Sequence, residues 1–143
     1  MTDLHLSFVF LLVVGSTAMA LLAAGCLGGG PGTADQEIRA LSPAEASALI
    51  EGRGDDPKFV VIDVRRPEEF AGGHIPGAIN INSADFPNRI GGLDPDGTYL
   101  LCCLRGARSS GVRELMREAG FREVYDIEGG MSAWKAAGLP VTG

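Results

Sequence analysis

"TYLLCCLRGARSSGVRELMREAG", residues 98–120, decides the fold class. Its first six residues form a short continuous apolar run, the pattern of a strand buried on both faces. Val112, Leu115, Met116 and Ala119 then recur at helical spacing, and Gly120 supplies a C-terminal stop. Between them Gly106 lets a short loop turn tightly, and Ser109 starts the helix. Strand, tight loop and helix in that order are one step of an α/β fold.

The flanking chain repeats the step. "EIRAL" (Glu37–Leu41) reads as a first strand. "SPAEASALIEG" reads as a helix with Ser42 as N-cap, Pro43 at the first helical position, Glu45 completing a capping box and Gly52 as its stop. "KFVVID" (Lys58–Asp63) is a buried strand, "RPEEFAGG" a short helix opening on Pro67, and "AININ" (Ala78–Asn82) a further strand. "LDPDG" is turn chemistry. "EVYDI" (Glu123–Ile127) is a strand, and "GMSAWKAAG" a closing helix whose Trp134 packs on the sheet. His74 reads as a turn residue before Pro76. Strands alternating with helices predict an α/β domain on a mainly parallel sheet flanked by helices on both faces. Such sheets bind ligands at the carboxyl ends of their strands. Cys103 falls at such an end, and the side chain of Cys102 points to the opposite face.

Composition narrows the function. The chain has 143 residues, enough for one domain and a short extra segment, and 45% of them are hydrophobic, enough for a packed core. A net charge of −6 and the lack of any basic stripe exclude nucleic acid as a partner. Cys26, Cys102 and Cys103 are too few and too clustered for a disulfide framework, and a bridge between sequence neighbours is strained. With His5 and His74 as the only histidines and no CxxC spacing, no metal and no cofactor is implied. "RGD" at Arg53–Asp55 is a loop after a helix, and "DPDG" lacks the later ligands of a calcium loop.

The N-terminus is a separate object. Leu6–Cys26 carries no charge and approaches the roughly 20 apolar residues that cross a bilayer. "LLAAGC" followed by "LGGGPG" resembles a lipoprotein signal peptide, in which Cys26 becomes the lipid-bearing first residue of the mature chain. Leucine falls one place early, at Leu22, and "MTDLH" lacks the usual basic residues. An uncleaved signal anchor and a plain cleaved signal are the alternatives. The reading predicts a membrane-anchored, extracytoplasmic domain. The resulting division is signal peptide 1–25, flexible tether 26–36 and folded domain 37–143.

The loop after the central strand carries the chemistry. A free thiol titrates near 8.5, and only its thiolate is a nucleophile. A loop with inward N–H groups, a helix N-terminus, Arg105 and Arg108 all favour an anion, on Cys103 and on a substrate beside it. Cys102, inside the strand, reads as structural.

At this point the chain resembles a rhodanese domain. The pattern C-x-x-G-x-R-S falls on Cys103, Gly106, Arg108 and Ser109, and D-x-R followed by E-F on Asp63, Arg65, Glu69 and Phe70. G-H-I-P-G-A is Gly73–Ala78, and the GG…W motif is Gly129, Gly130 and Trp134. The resemblance covers residues 37–143 and implies a rhodanese-like α/β fold on a five-stranded sheet. It implies sulfur transfer: Cys103 attacks the outer sulfur of a small anionic donor such as thiosulfate, becomes a persulfide within the cradle Leu104, Arg105, Gly106, Ala107, Arg108 and Ser109, and passes the sulfur to cyanide or to a thiol, on a protein or a small molecule. Arg108 and Arg65 would hold the donor's oxygens, and Asp63 would pin the loop or Arg65. Leu104 departs from the arginine common at its position, with positive charge moved to Arg105.

Two rival readings share the stretch. Phosphatases of the cell-cycle type use this fold with cysteine-x5-arginine, a spacing that Cys102 and Arg108 provide. Cys103 and Arg108 give the shorter, sulfur-sized loop, with Gly106 three after the cysteine. The other rival is a membrane-tethered sulfur-relay or binding module with little turnover of its own.

Overall fold

The computed structural model describes residues 35–143. The signal peptide, Cys26 and most of the tether lie outside them. Among the described residues no helix is long and apolar enough to cross a membrane.

Five strands form one sheet in the order β1-β5-β4-β2-β3, and every pairing is parallel. They are β1 (Glu37–Leu41), β2 (Phe59–Asp63), β3 (Ile79–Asn80), β4 (Thr98–Cys102) and β5 (Glu123–Ile127). The helices are α1 (Pro43–Arg53), α2 (Pro67–Ala71), α3 (Phe86–Arg89), α4 (Ala107–Glu118) and α5 (Gly130–Ala136), with a 3-10 turn at Ile90–Gly92. This is the rhodanese-like α/β architecture that the motifs imply.

Strand alternation sorts the core into two layers. Tyr99, Leu101 and Cys103 join Val112 and Met116 of α4 and Phe86 of α3 on one face. Leu100 and Cys102 join Ala46 of α1 and Met131 and Trp134 of α5 on the other. The two adjacent cysteines therefore belong to opposite layers. Trp134 is buried and its Nε1 donates to the Pro140 carbonyl at 2.8 Å.

Element boundaries differ from the sequence expectation for local reasons. The Ser42–Glu45 capping box is present, yet α1 runs past Gly52 to Arg53. Arg53 is held there by Thr98 Oγ1 at 2.9 Å and Glu123 at 3.0 Å. β3 keeps only two of its expected residues, because the Asn80 side chain turns inward and donates to the Asp63 and Arg65 carbonyls, both at 2.9 Å. β4 ends at Cys102, one residue early, because the Cys103 carbonyl leaves the ladder to accept from Met131 N–H at 2.7 Å. α4 begins at Ala107, two residues before Ser109, because Gly106 takes φ +98° and its carbonyl accepts the first helical bond, from Ser110. α3 carries too short a pattern to read in sequence. Gln36, assigned to the flexible tether, is docked: its Nε2 donates to the Phe121 carbonyl at 2.8 Å.

The chain leaves β2 towards β3 and leaves β4 towards β5, in opposite directions along the sheet. The carboxyl ends of β2 and β4 thus flank a topological switch point, where α/β sheets open a crevice. The D-x-R segment follows one of these strands and the cysteine loop the other.

Candidate active site

Cys103 sits at the floor of an open hollow of about 350 Å³ lined by Cys103, Leu104, Arg105, Ala107 and Arg108. Cys103 itself is only 1% exposed, and the hollow is the opening it lines. Gly106 N–H donates to its Sγ at 3.1 Å, and Ser109 Oγ lies 3.5 Å from the same sulfur. Burial by itself would raise the thiol's pKa. The Ser109 hydroxyl and the N–H groups of Ser109, Arg105 and Gly106 outweigh burial and bring it below the ordinary thiol value. The N-terminus of α4 adds its partial positive charge from the same side.

Cys102 has the opposite environment. It is fully buried in the other layer, and burial, then the neighbouring Asp63, drive its thiol far above the ordinary range. Its Sγ is directed to the Cys103 carbonyl at 3.4 Å. The cysteine-x5-arginine count therefore starts from a side chain on the wrong side of the sheet.

The cradle is held open from behind by α5. Met131 N–H donates to the Cys103 carbonyl at 2.7 Å and Ser132 N–H to the Leu104 carbonyl at 3.0 Å. In a trans peptide the next N–H points the opposite way, so those of Leu104 and Arg105 face away from α5. Close approach makes this possible. A Cβ on Gly130 would lie 2.3 Å from the Cys103 carbonyl oxygen, at a backbone φ of +56°. The GG…W motif is thus a backbone seat for the cysteine loop.

Arg108 does not stand free. Its guanidinium forms a bidentate pair with Glu69 of α2, both contacts at 2.8 Å, closing the crevice between the two loops. The Arg108 pair, then burial in the opposite sense, sets the Glu69 carboxyl at about 2. Arg105 and Leu104 are exposed at the rim, Leu104 to 40%.

The expectation that Arg65 holds donor oxygens is corrected. Its side chain is 4% exposed and is spent on Asp63, with Nη2 to Oδ2 at 2.6 Å and Nε to Oδ1 at 2.9 Å. Nη2 also reaches the Gly73 carbonyl at 2.7 Å. A guanidinium desolvated in this way pins the β2 loop to the turn before Pro76, and no part of it lines the hollow. Asp63 is its buried partner. His74 stacks on Phe70 with 3.7 Å between ring centroids, a packing role beside the same turn.

Sequence reasoning named no role for Glu69, Asn80, Arg113 or Asp126. Asp126 had a signal: it is a charged residue at a strand position that period-two alternation directs to the same face as the buried Val124. Arg113 is one of several polar residues on α4 and carried none. Among the described residues no group of side chains could hold a metal ion.

Comparison with known proteins agrees with this geometry. The family model of the rhodanese-like domain matches residues 42–137. YtwF of Bacillus subtilis is 39% identical over 104 residues, covering 73% of this chain and 97% of that protein. The thiosulfate sulfurtransferase GlpE of Pseudomonas entomophila is 34% identical, covering 70% of this chain and 87% of its own. A solved rhodanese-related protein from Thermoplasma volcanium superposes with a TM-score of 0.64 at 30% identity, covering 73% of this chain and 97% of that one. With five parallel strands, a cysteine at the tip of the central one and the family pattern across the whole sheet, the chain belongs to the rhodanese-like domain family.

Proposed function

We propose that this protein is a rhodanese-type sulfurtransferase that carries sulfane sulfur as a persulfide on Cys103. The observation that carries the reading is the thiol at the floor of a cradle, with Gly106 N–H at 3.1 Å and Ser109 Oγ at 3.5 Å stabilising its anion. The Cys103 thiolate attacks the outer sulfur of thiosulfate, the S–S bond of the donor breaks, and sulfite leaves with the bond's electron pair. The terminal sulfur of the new persulfide carries the negative charge and lies among the loop N–H groups. An acceptor thiolate or cyanide then attacks that sulfur and returns Cys103 as thiolate. No electron is gained or lost overall. Arg105 at the rim, and Arg108 to the extent Glu69 leaves it uncompensated, draw the anionic donor in.

The acceptor in the cell is a thiol, and the domain works at the outer face of a membrane, held by lipid on Cys26 or by an uncleaved anchor. The support for this placement is the sequence of residues 6–26 alone. The intact mass of the membrane-bound full chain and of Cys26→Ser tests it: a lipoprotein begins at a lipid-bearing Cys26 and loses that processing in the variant, while an anchor keeps residues 1–25 in both.

The catalytic reading is tested by steady-state sulfur transfer from thiosulfate to cyanide and to a small thiol. Turnover lost in Cys103→Ser and kept in Cys102→Ala supports it. Loading without turnover points to a relay module that needs a protein acceptor. Hydrolysis of an aryl phosphate that depends on Cys102 would replace the reading with a phosphatase.

A further inference from the structure

Behind the nucleophile lies a charged pair, a buried Asp126 and a half-buried Arg113, that the persulfide chemistry does not require. Asp126, on β5, is 3% exposed. Its Oδ1 accepts from Arg113 Nη1 of α4 at 2.6 Å, and its Oδ2 lies 3.3 Å from Ser109 Oγ. Arg113 Nη2 also lies 3.6 Å from Glu114, while its Nε is buried without a partner, so the guanidinium is held against Asp126 at a cost. Ser109 is itself fully buried, with Cys103 Sγ at 3.5 Å and the Gly106 carbonyl at 3.1 Å as its other neighbours.

A serine hydroxyl has one proton to donate. Here three acceptors surround it: the sulfur, the Gly106 carbonyl and the Asp126 carboxylate. A proton given to the carboxylate is withheld from the sulfur. We propose that Asp126, fixed by Arg113, is a positioning residue that competes with Cys103 for the Ser109 hydroxyl and so restrains the sulfur anion that the rest of the cradle stabilises. This rests on the reading of Cys103 as the sulfur carrier.

The geometry gives the competition a direction. Ionised Asp126 attracts the hydroxyl and also places a negative charge near the sulfur. Neutral Asp126 can donate to Ser109 Oγ, which turns the hydroxyl towards Cys103. Burial raises the Asp126 carboxyl while Arg113 opposes it. The groups facing Asp126 are Arg113 and Ser109 from α4, Cys102 from the end of β4 and Glu128 beyond β5, with Glu114 of α4 against Arg113 and Cys103 on the far side of Ser109. Restraint suits a carrier, because a persulfide held too tightly by its cradle is a poor donor to the next thiol.

The test reads the thiolate directly, independent of sulfur transfer. The full chain is alkylated with iodoacetamide across pH, and modification of Cys103 is followed by fragmentation of its peptide. In Asp126→Asn the amide donates to Ser109 Oγ in place of accepting, and the midpoint of Cys103 alkylation moves down by about one pH unit. Asp126→Ser, with a smaller donor and no charge, moves it the same way and serves if the amide variant does not fold. In a Ser109→Ala background the Asp126→Asn shift shrinks by half or more. An unshifted midpoint in both Asp126 variants overturns the proposal. A shift of equal size in the Ser109→Ala background also overturns it, because the carboxylate then acts through space and not through the hydroxyl. A wild-type Cys103 that titrates like a free thiol would instead refute the activated nucleophile on which both readings stand.

Discussion

Gly130→Ala isolates the seat of the cysteine loop. The added methyl would lie 2.3 Å from the Cys103 carbonyl oxygen, 2.8 Å from the Leu104 carbonyl carbon and 2.9 Å from the Arg105 nitrogen. All three are backbone atoms, so no side-chain rotation relieves the overlap. The left-handed backbone at φ +56° adds about 1–2 kcal/mol for any residue with a Cβ. Separation of α5 from the loop also removes the Met131 and Ser132 hydrogen bonds, each worth about 1 kcal/mol net. The expected loss is about 3–4 kcal/mol in urea unfolding at neutral pH. Because the displaced carbonyls reorient the N–H groups that face Cys103, sulfur loading falls together with stability. Gly111→Ala is the control: Gly111 lies exposed inside α4 with nothing near its Cβ position, and alanine there gains about 0.5–1 kcal/mol. If Gly130→Ala unfolds with the wild-type midpoint and loads sulfur at the wild-type rate, the seat assigned to the GG…W motif is wrong.

Other outcomes follow from single contacts. Asp63→Ala strands the buried Arg65 guanidinium and costs about 3–5 kcal/mol by the same urea assay, whereas a loss under about 1 kcal/mol would mean Arg65 finds water. Glu69→Gln releases Arg108, lowers the KM for thiosulfate and destabilises the domain by about 0.5–1 kcal/mol at pH 7. Glu69 is held at about 2 against an ordinary 4.5, so its contribution is present above pH 4.5 and disappears as pH falls towards 2. The stability gap between wild type and Glu69→Gln should close over that interval, and a gap that persists there would contradict the ion pair.

Much of this fold was readable from local signals. Parallel strands such as "TYLLC" and "FVVID" announce themselves as apolar runs, and the Ser42–Glu45 capping box marks where α1 begins. What could not be read depends on partners distant in sequence. β3 is cut to two residues by what the Asn80 side chain bonds, and β4 loses Cys103 to an N–H of α5. The same limit holds at the site. The loop Cys103–Ser109 is contiguous, so its turn glycine and helix start were legible. Arg65 resembled a ligand for anions although Asp63, two residues before it, was expected to pin the loop or Arg65, because the Gly73 carbonyl that completes its pairing lies beyond α2. The Glu69–Arg108 pair spans 39 residues and the Arg113–Asp126 pair spans 13, and neither is encoded by spacing.

The most direct measurement is the intact mass of the protein after incubation with thiosulfate, followed by non-reducing peptide mapping. A gain of one sulfur atom, located on Cys103 and removed by cyanide, is the predicted result. Sulfur found on Cys102, or no gain in a protein whose Cys103 is alkylated readily, would contradict the assignment of Cys103 as the sulfur carrier.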